Sequence, residues 1–302
     1  MTSPVHRRDD ERPARVLVVV AVAAEAEAVQ RGLRGGAEPH ALPGGGELRR
    51  SRPASGVEVD VLAGGVGPAA VAATTATALL QSPYDLVVSA GIAGGFAPHA
   101  PVGSLVVATE LVAADLGADA PEGFLTVEEL GFGRSRHTPP PAAVSLAAAA
   151  LGAAAGHPSD DAPGAAADQA AGDETATGAP AQRAAEGVAA RGATDRPQPA
   201  SAQRPRTVVT GPVLTVSTVT GSAERAAELA GRHPGAAAEA MEGFGVAEAA
   251  GRFGLPVLEL RAVSNAVGPR DRSAWRIGEA LAALEQAFRG LPLPELLEAS
   301  RG

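Results

Sequence analysis

The chain contains no cysteine, which excludes disulfides, thiolate zinc sites and a thiol nucleophile, and leaves the redox state of its compartment unmarked. Aromatic side chains are scarce, with one Trp, one Tyr and six Phe among 302 residues. There is no dense basic patch, the formal net charge is -9 and the pI is about 5.2. A protein that grips nucleic acid needs cationic stripes and rings for stacking, so no nucleic-acid partner is expected. The six histidines are scattered, and no His, Asp or Glu cluster has metal-ligand spacing, so no metal and no cofactor is expected. Long hydrophobic runs are missing too. The apolar stretch from Val16 to Ala24 is too short to cross a bilayer. The polar N-terminus "MTSPVHRRDDERPAR" lacks the apolar core and cleavage pattern of a secretory signal. Residues 1–14 read as a flexible tail, and a cytoplasmic location without membrane contact is expected.

What is present suffices for a large core, since 45% of the residues are hydrophobic. "RVLVVVAV" (Arg15 to Val22) is the near-continuous β-branched run of a strand covered on both faces. Similar runs occur at Val57 to Ala63, Leu86 to Ala90, Ser104 to Ala108, Thr207 to Thr210 and Pro256 to Val263. Helical patterns follow several of them, at Glu25 to Leu33, Pro68 to Leu80, Ser222 to Ala230, Gly243 to Phe253 and Ala274 to Phe288. This alternation predicts a layered α/β fold with a parallel or mixed sheet. One stretch departs from it. From Gly152 to Arg206 the only large apolar side chain is Val188, too little burial to offset the entropy of ordering. A domain spanning 15–290, interrupted by a disordered insertion at 152–206, is the expected organisation.

Polar and glycine-rich motifs sit at the strand ends, where α/β proteins bind ligands. "AGGVGPAA" (Ala63 to Ala70) and "SAGIAGGF" (Ser89 to Phe96) each close a strand, and their glycines allow backbone to approach a ligand. The first superficially matches a dinucleotide fingerprint. It lacks the acid at the end of the next strand that would hold a ribose hydroxyl, because Asp85 precedes that strand. "AEAMEGFG" (Ala238 to Gly245) places Met241 and Glu242 at a helix entry, and "AVAAEAEAVQ" (Ala21 to Gln30) places Glu25 and Glu27 after the first strand. Either could be an N-terminal helix acid complementing the dipole.

Taken in order, these stretches together with "STVTGS" (Ser217 to Ser222) and "RAVSN" resemble the nucleoside phosphorylase and nucleosidase superfamily, including the bacterial 5'-methylthioadenosine/S-adenosylhomocysteine nucleosidases. "ADLGADAPEGFLTVEELGFG" (Ala114 to Gly133) and "SNAVGPRDRSAW" (Ser264 to Trp275) are similar to its futalosine hydrolase branch, which serves menaquinone biosynthesis. The resemblance covers Arg15 to about Phe132 and Thr207 to Arg289.

The resemblance implies a three-layer α/β fold with a central mixed sheet flanked by helices, and a homodimer whose partner closes the far end of each pocket. It implies hydrolysis of the N-glycosidic bond of futalosine, releasing hypoxanthine and dehypoxanthine futalosine. It assigns Glu27 to water activation, with Glu25 as the alternative. Met241 and Glu242 line the ribose, and Ile92, Ala93 and Gly94 run along sugar and base beside the Gly67 loop. Thr218 and Val219 flank the purine, and Ser264 and Asn265 stand where the adenine-specific relatives have Ser-Asp. For the substrate's benzoate tail, Arg270 and Arg272 are candidate partners and Trp275 a candidate wall.

Chemistry agrees with the asparagine. Hypoxanthine presents N7 and an acceptor oxygen, and an ionised aspartate has no donor for that oxygen. An amide has both a donor and an acceptor, so Asn265 favours a 6-oxopurine. Water is the expected nucleophile, because between Ala63 and Thr109 no Lys or Arg stands near the glycine loops to hold phosphate. The alternatives are a methylthioadenosine-type or aminodeoxyfutalosine nucleosidase, and a non-catalytic nucleoside-binding protein.

Overall fold

The computed structural model describes residues 12–121, 123–155 and 207–301. Twelve strands lie among them: Arg15–Val20 (β1), Ala37–Ala41 (β2), Glu47–Ser51 (β3), Glu58–Ala63 (β4), Leu86–Gly95 (β5), Leu105–Ala113 (β6), Gly117–Ala120 (β7), Gly123–Thr126 (β8), Arg136–His137 (β9), Val208–Thr215 (β10), Ala238–Ala240 (β11) and Val257–Ala266 (β12). The helices are Ala23–Leu33 (α1), Pro68–Gln81 (α2), Pro141–Ala155 (α3), Ala223–Arg232 (α4), Gly243–Arg252 (α5), Ile277–Gly290 (α6) and Leu293–Ser300 (α7).

Side-chain alternation on the β-branched strands explains the layering. Val16, Val18 and Val20 of β1 pack into one core with α1, α3, α6 and α7, and Leu17 and Val19 pack into a second with α2 and α5. The same division holds on β12, where Leu258, Leu260 and Ala262 join the first core and Val257 and Val263 the second. Helices therefore cover both faces of the sheet, the three-layer α/β arrangement expected.

The sheet has ten strands in the order β11-β10-β6-β12-β5-β1-β4-β3-β2, with β9 added beside β6. It is mixed: β1 runs parallel to β4 and β5, while β12 is parallel to β5 and antiparallel to β6. One end curls. β11 bonds both to β10 and, antiparallel, to the far end of the ten-residue β5. Five strands thereby close into a ring, and the carboxyl ends of β1, β5 and β12 open beside it.

Several elements differ from the sequence reading. α3 continues through Gly152 to Ala155, four residues past the expected start of the insertion, because its Ala-rich sequence is a good helix former. The rest of that insertion, 156–206, lies outside the described residues, as do residues 1–11 of the expected tail. The compact domain also extends past residue 290, since Leu293, Leu296 and Leu297 of α7 are buried in the first core. The hairpin β2–β3 and the pair β7–β8 carry mixed polar sequence with little alternation, and tertiary pairing decides them.

Candidate active site

The motifs at the strand ends converge on a cavity of about 280 Å³. Its deep end is made by α1, α5 and β12. Glu25 is the third residue of α1 and reaches back over the helix start, where its Oε2 accepts from the N–H groups of Ala21 (2.9 Å) and Val22 (3.2 Å). This is the capping geometry that places a Glu at that position. Its Oε1 accepts from the Ile92 N–H at 2.8 Å, which ties the helix to β5. Glu25 is 3% exposed. Burial pushes its carboxyl above the ordinary glutamate value, against the opposing pull of the Ile92 N–H and Arg261.

Glu242 immediately precedes α5 on the other side of the cavity, and its side chain turns away from the helix start. Its carboxylate accepts from the Met241 N–H at 3.2 Å, the Gly67 N–H at 3.4 Å and Arg261 Nη1 at 3.4 Å. Arg261 is completely buried. It donates Nε to Glu259 at 2.8 Å and Nη2 to the Ser89 hydroxyl at 3.0 Å. Two residues apart on β12, Glu259 and Arg261 share the face toward α5. A Cβ on Gly243 would lie 2.3 Å from Glu259 Oε1, so the first residue of α5 must be glycine for this carboxylate to fit. Burial pushes Glu259 up to about 7 despite Arg261 beside it. Three carboxylates thus surround one guanidinium, and removing that guanidinium strands buried charge.

The other end is built on a bulge. The register between β12 and β5 shifts between Val263 and Asn265, which makes Ser264 the extra residue. The Ser264 hydroxyl bonds the Asn265 Oδ1 at 2.9 Å, and Asn265 Nδ2 donates to the Ala266 carbonyl at 3.0 Å. Asn265 is half-buried and lines the cavity, as do Ser264, Ile92, Ala93, Gly94 and Met241. Val219, Arg270 and Trp275 line it toward the outside, with the Arg270 guanidinium 5.6 Å from the centre of the Trp275 ring.

Four expected residues are placed elsewhere. Glu27 is exposed and outside the cavity. Two helical positions turn through about 200°, so with Glu25 facing inward Glu27 must face away, and the expectation for it is corrected. Thr218 is exposed, while its neighbours Val219 and Thr220 line the cavity. Arg272 lies exposed in a single 3-10 turn, Arg272–Ala274, away from the lining. Gly67 acts through its backbone: at φ 92° it precedes α2 and gives its N–H to Glu242. Conversely Glu239, Thr220 and Arg261 were not singled out by sequence. Arg261 stood inside an apolar run, and β11, which carries Glu239, is only three residues long. Among the described residues no group of three His, Asp or Glu side chains is placed to hold a metal ion, and no helix is long and apolar enough to cross a membrane.

Comparison with known proteins identifies the family. The model of the family described as the phosphorylase superfamily matches residues 15–293. A futalosine hydrolase from Streptomyces coelicolor is 48% identical over 285 residues, covering 90% of this chain and 92% of that protein. Another, from Acidothermus cellulolyticus, is 41% identical over 275 residues, with 91% and 89% covered. The solved futalosine hydrolase of Helicobacter pylori has the same fold, with a TM-score of 0.65 at 17% identity over 94% of this chain and 97% of that one. The chain belongs to the phosphorylase superfamily and, within it, to the futalosine hydrolases.

Proposed function

We propose that this chain hydrolyses the N-glycosidic bond of futalosine, releasing hypoxanthine, with Glu25 as the base that activates water. The observation that carries this reading is the pairing, in one cavity, of a buried carboxylate at the deep end with an amide at the base-reading end. Cleavage builds positive charge on the ribose and negative charge on the purine, so a site needs a base for water, a grip on the sugar and a partner for the purine. Glu25 supplies the first, and desolvation suits it, since a raised carboxyl is a stronger base. Glu242 beside Met241 grips the ribose hydroxyls. Asn265 donates from Nδ2 to O6, releasing its bond to Ala266, and its Oδ1 accepts a hydrogen bond from N7–H, the N7 proton coming from solvent as the C–N bond breaks and Glu25 takes the proton of the attacking water.

Water is favoured over phosphate for a reason beyond the missing cations at the glycine loops. The one guanidinium at the deep end, Arg261, is committed to Glu259, Glu242 and Ser89. A phosphate dianion placed there would face the remaining carboxylates. The futalosine tail then leaves by the open mouth, where Arg270 pairs its carboxylate and Trp275 forms a wall. Arg272 stands outside this path. The homodimer that the family resemblance implies would cover Val66 (54% exposed), at the cavity rim, and Phe132 (82%). A cytoplasmic location follows from the pathway.

The test is to incubate the protein with futalosine, aminodeoxyfutalosine and 5'-methylthioadenosine and to separate the free bases chromatographically. Hypoxanthine released without added phosphate is the expected result. Faster release of adenine from either of the others would replace this reading with an adenine nucleosidase. No release from any of them would leave nucleoside binding alone. Sedimentation of Phe132→Ser beside the parent chain checks the dimer.

A further inference from the structure

Glu239 is the carboxylate of the cavity that the mechanism leaves without a task. It is 5% exposed, and it lines the same cavity as Asn265. β11 sets Glu239 opposite Gly94 on one side of β5, and β12 sets Asn265 opposite the same Gly94 on the other. Residues in register across neighbouring strands project from the same face. With strands about 4.8 Å apart, the two side chains rise about 10 Å from each other over a glycine. A Cβ on Gly94 would come within 3.3 Å of Asn265 Nδ2 and 3.0 Å of Val267 Cγ2, so a side chain there would crowd this floor. Glu25 meets β5 at Ile92, two residues before Gly94. The row is thus displaced along the strand from the water-activating end, as the base of a nucleoside is displaced from its reacting carbon.

The hydrogen bonding of Glu239 is half complete. The Thr220 N–H donates to Oε1 at 2.9 Å and the Thr220 hydroxyl donates to Oε2. Each carboxylate oxygen has a second lone pair. We propose that Glu239 is a specificity-determining residue, accepting the N1–H of a 6-oxopurine that lies over Gly94 while Asn265 reads O6 and N7. This rests on the 6-oxopurine reading of the cavity. A 6-aminopurine carries a lone pair at N1, so against an ionised Glu239 it sets acceptor to acceptor. Burial pushes the Glu239 carboxyl up, against the two Thr220 donors. The ionised form therefore gains from a further N–H donor in the dry cavity.

The experiment measures hypoxanthine, 1-methylhypoxanthine and adenine as competitive inhibitors of the parent enzyme and of Glu239→Gln. A hydrogen bond to a charged acceptor corresponds to roughly 10- to 150-fold in affinity. Hypoxanthine is expected to weaken by that factor in Glu239→Gln, with KM for futalosine rising in parallel and adenine within about threefold. Equal weakening of both bases would assign Glu239 to holding the Thr220 loop and overturn the proposal, as would unchanged inhibition. The parent enzyme gives an independent check that needs no variant: 1-methylhypoxanthine, which lacks the donor, is expected to bind worse than hypoxanthine by the same factor, and equal binding overturns the proposal. A parent enzyme that prefers adenine to hypoxanthine would instead sink the 6-oxopurine reading itself. A preference for hypoxanthine that survives in Glu239→Gln would sink only the role of Glu239.

Discussion

At the deep end of the cavity Glu25, Glu242 and Arg261 are at most 5% exposed, and each is fixed by three hydrogen bonds to backbone or side chain. At the mouth Arg270 is exposed and stands over the half-buried Trp275 at 5.6 Å. The deep end must hold charges to within a fraction of an ångström through the reaction. In the proposed reading the mouth has only to receive a carboxylate tail, and an exposed cation does so without a fixed geometry. One cavity thus joins a rigid, buried end to an open, exposed one, which the proposed reading makes the chemical and the selecting ends.

The largest break in this contrast comes from Glu25→Gln. Turnover is expected to fall by roughly 100- to 10,000-fold, while futalosine still binds in equilibrium dialysis. Glu27→Gln, on the opposite side of α1, is expected to turn over like the parent, and a collapse in that variant would return the water base to Glu27. Next is Arg261→Leu, which strands Glu259 and Glu242. A loss of about 3–5 kcal/mol of unfolding free energy is expected, read from urea midpoints. An unchanged midpoint would mean that the buried carboxylates are neutral in the folded chain and need no cation.

The amide sits between the two extremes. Asn265→Asp is expected to weaken futalosine cleavage by roughly 1–3 kcal/mol in kcat/KM and to narrow the preference over aminodeoxyfutalosine. A ratio of the two specificity constants that holds steady while both fall would make Asn265 a support for the β12 bulge. Stability also carries a pH effect. Glu259 is pushed up to about 7 in the folded chain, above its ordinary value of 4.5. Between these values the folded chain keeps a proton that the unfolded chain releases, so stability falls as pH rises through that window. His233 acts oppositely at the acid side: burial and Arg136 hold it down to about 4, so stability falls as pH drops from 6.5 toward 4. Comparison with Glu259→Gln isolates the first effect, and the variant is expected to lose less stability between pH 5 and 7 in thermal melts. The smallest effect belongs to the mouth. Arg270→Ala is expected to raise KM for futalosine by a few-fold, vanishing at high salt, with Arg272→Ala nearly silent. Equal changes in the two would show that both cations reach the tail.

The contrast also explains what sequence reading reached. The strands covered on both faces and the amphipathic helices were legible, because burial writes period 2 and period 3.6 directly into the chain. The cavity positions of Glu242, Asn265 and the strand end at Ile92 to Gly94 were legible as well, since they stand at element boundaries. Choosing between Glu25 and Glu27 was not possible from local pattern, since both suit a helix start and only the helical rotation against β5 separates them. Arg261 looked like an interruption of a strand, because its three partners come from β5, β12 and the start of α5. Glu239 was hidden for a similar reason, as its place across Gly94 from Asn265 exists only once β11 crosses to β5.

The position of Trp275 has a practical side. The chain has a single tryptophan, and it lies against the cavity, while its single tyrosine, Tyr84, is buried with its hydroxyl donating to Asp60 at 2.7 Å. Excitation of the indole therefore looks at the mouth of the site and at nothing else in the molecule. If a substrate tail occupies the mouth as proposed, its binding becomes an optical signal in the unlabelled protein, which can be followed in Glu25→Gln, where turnover is expected to be slow.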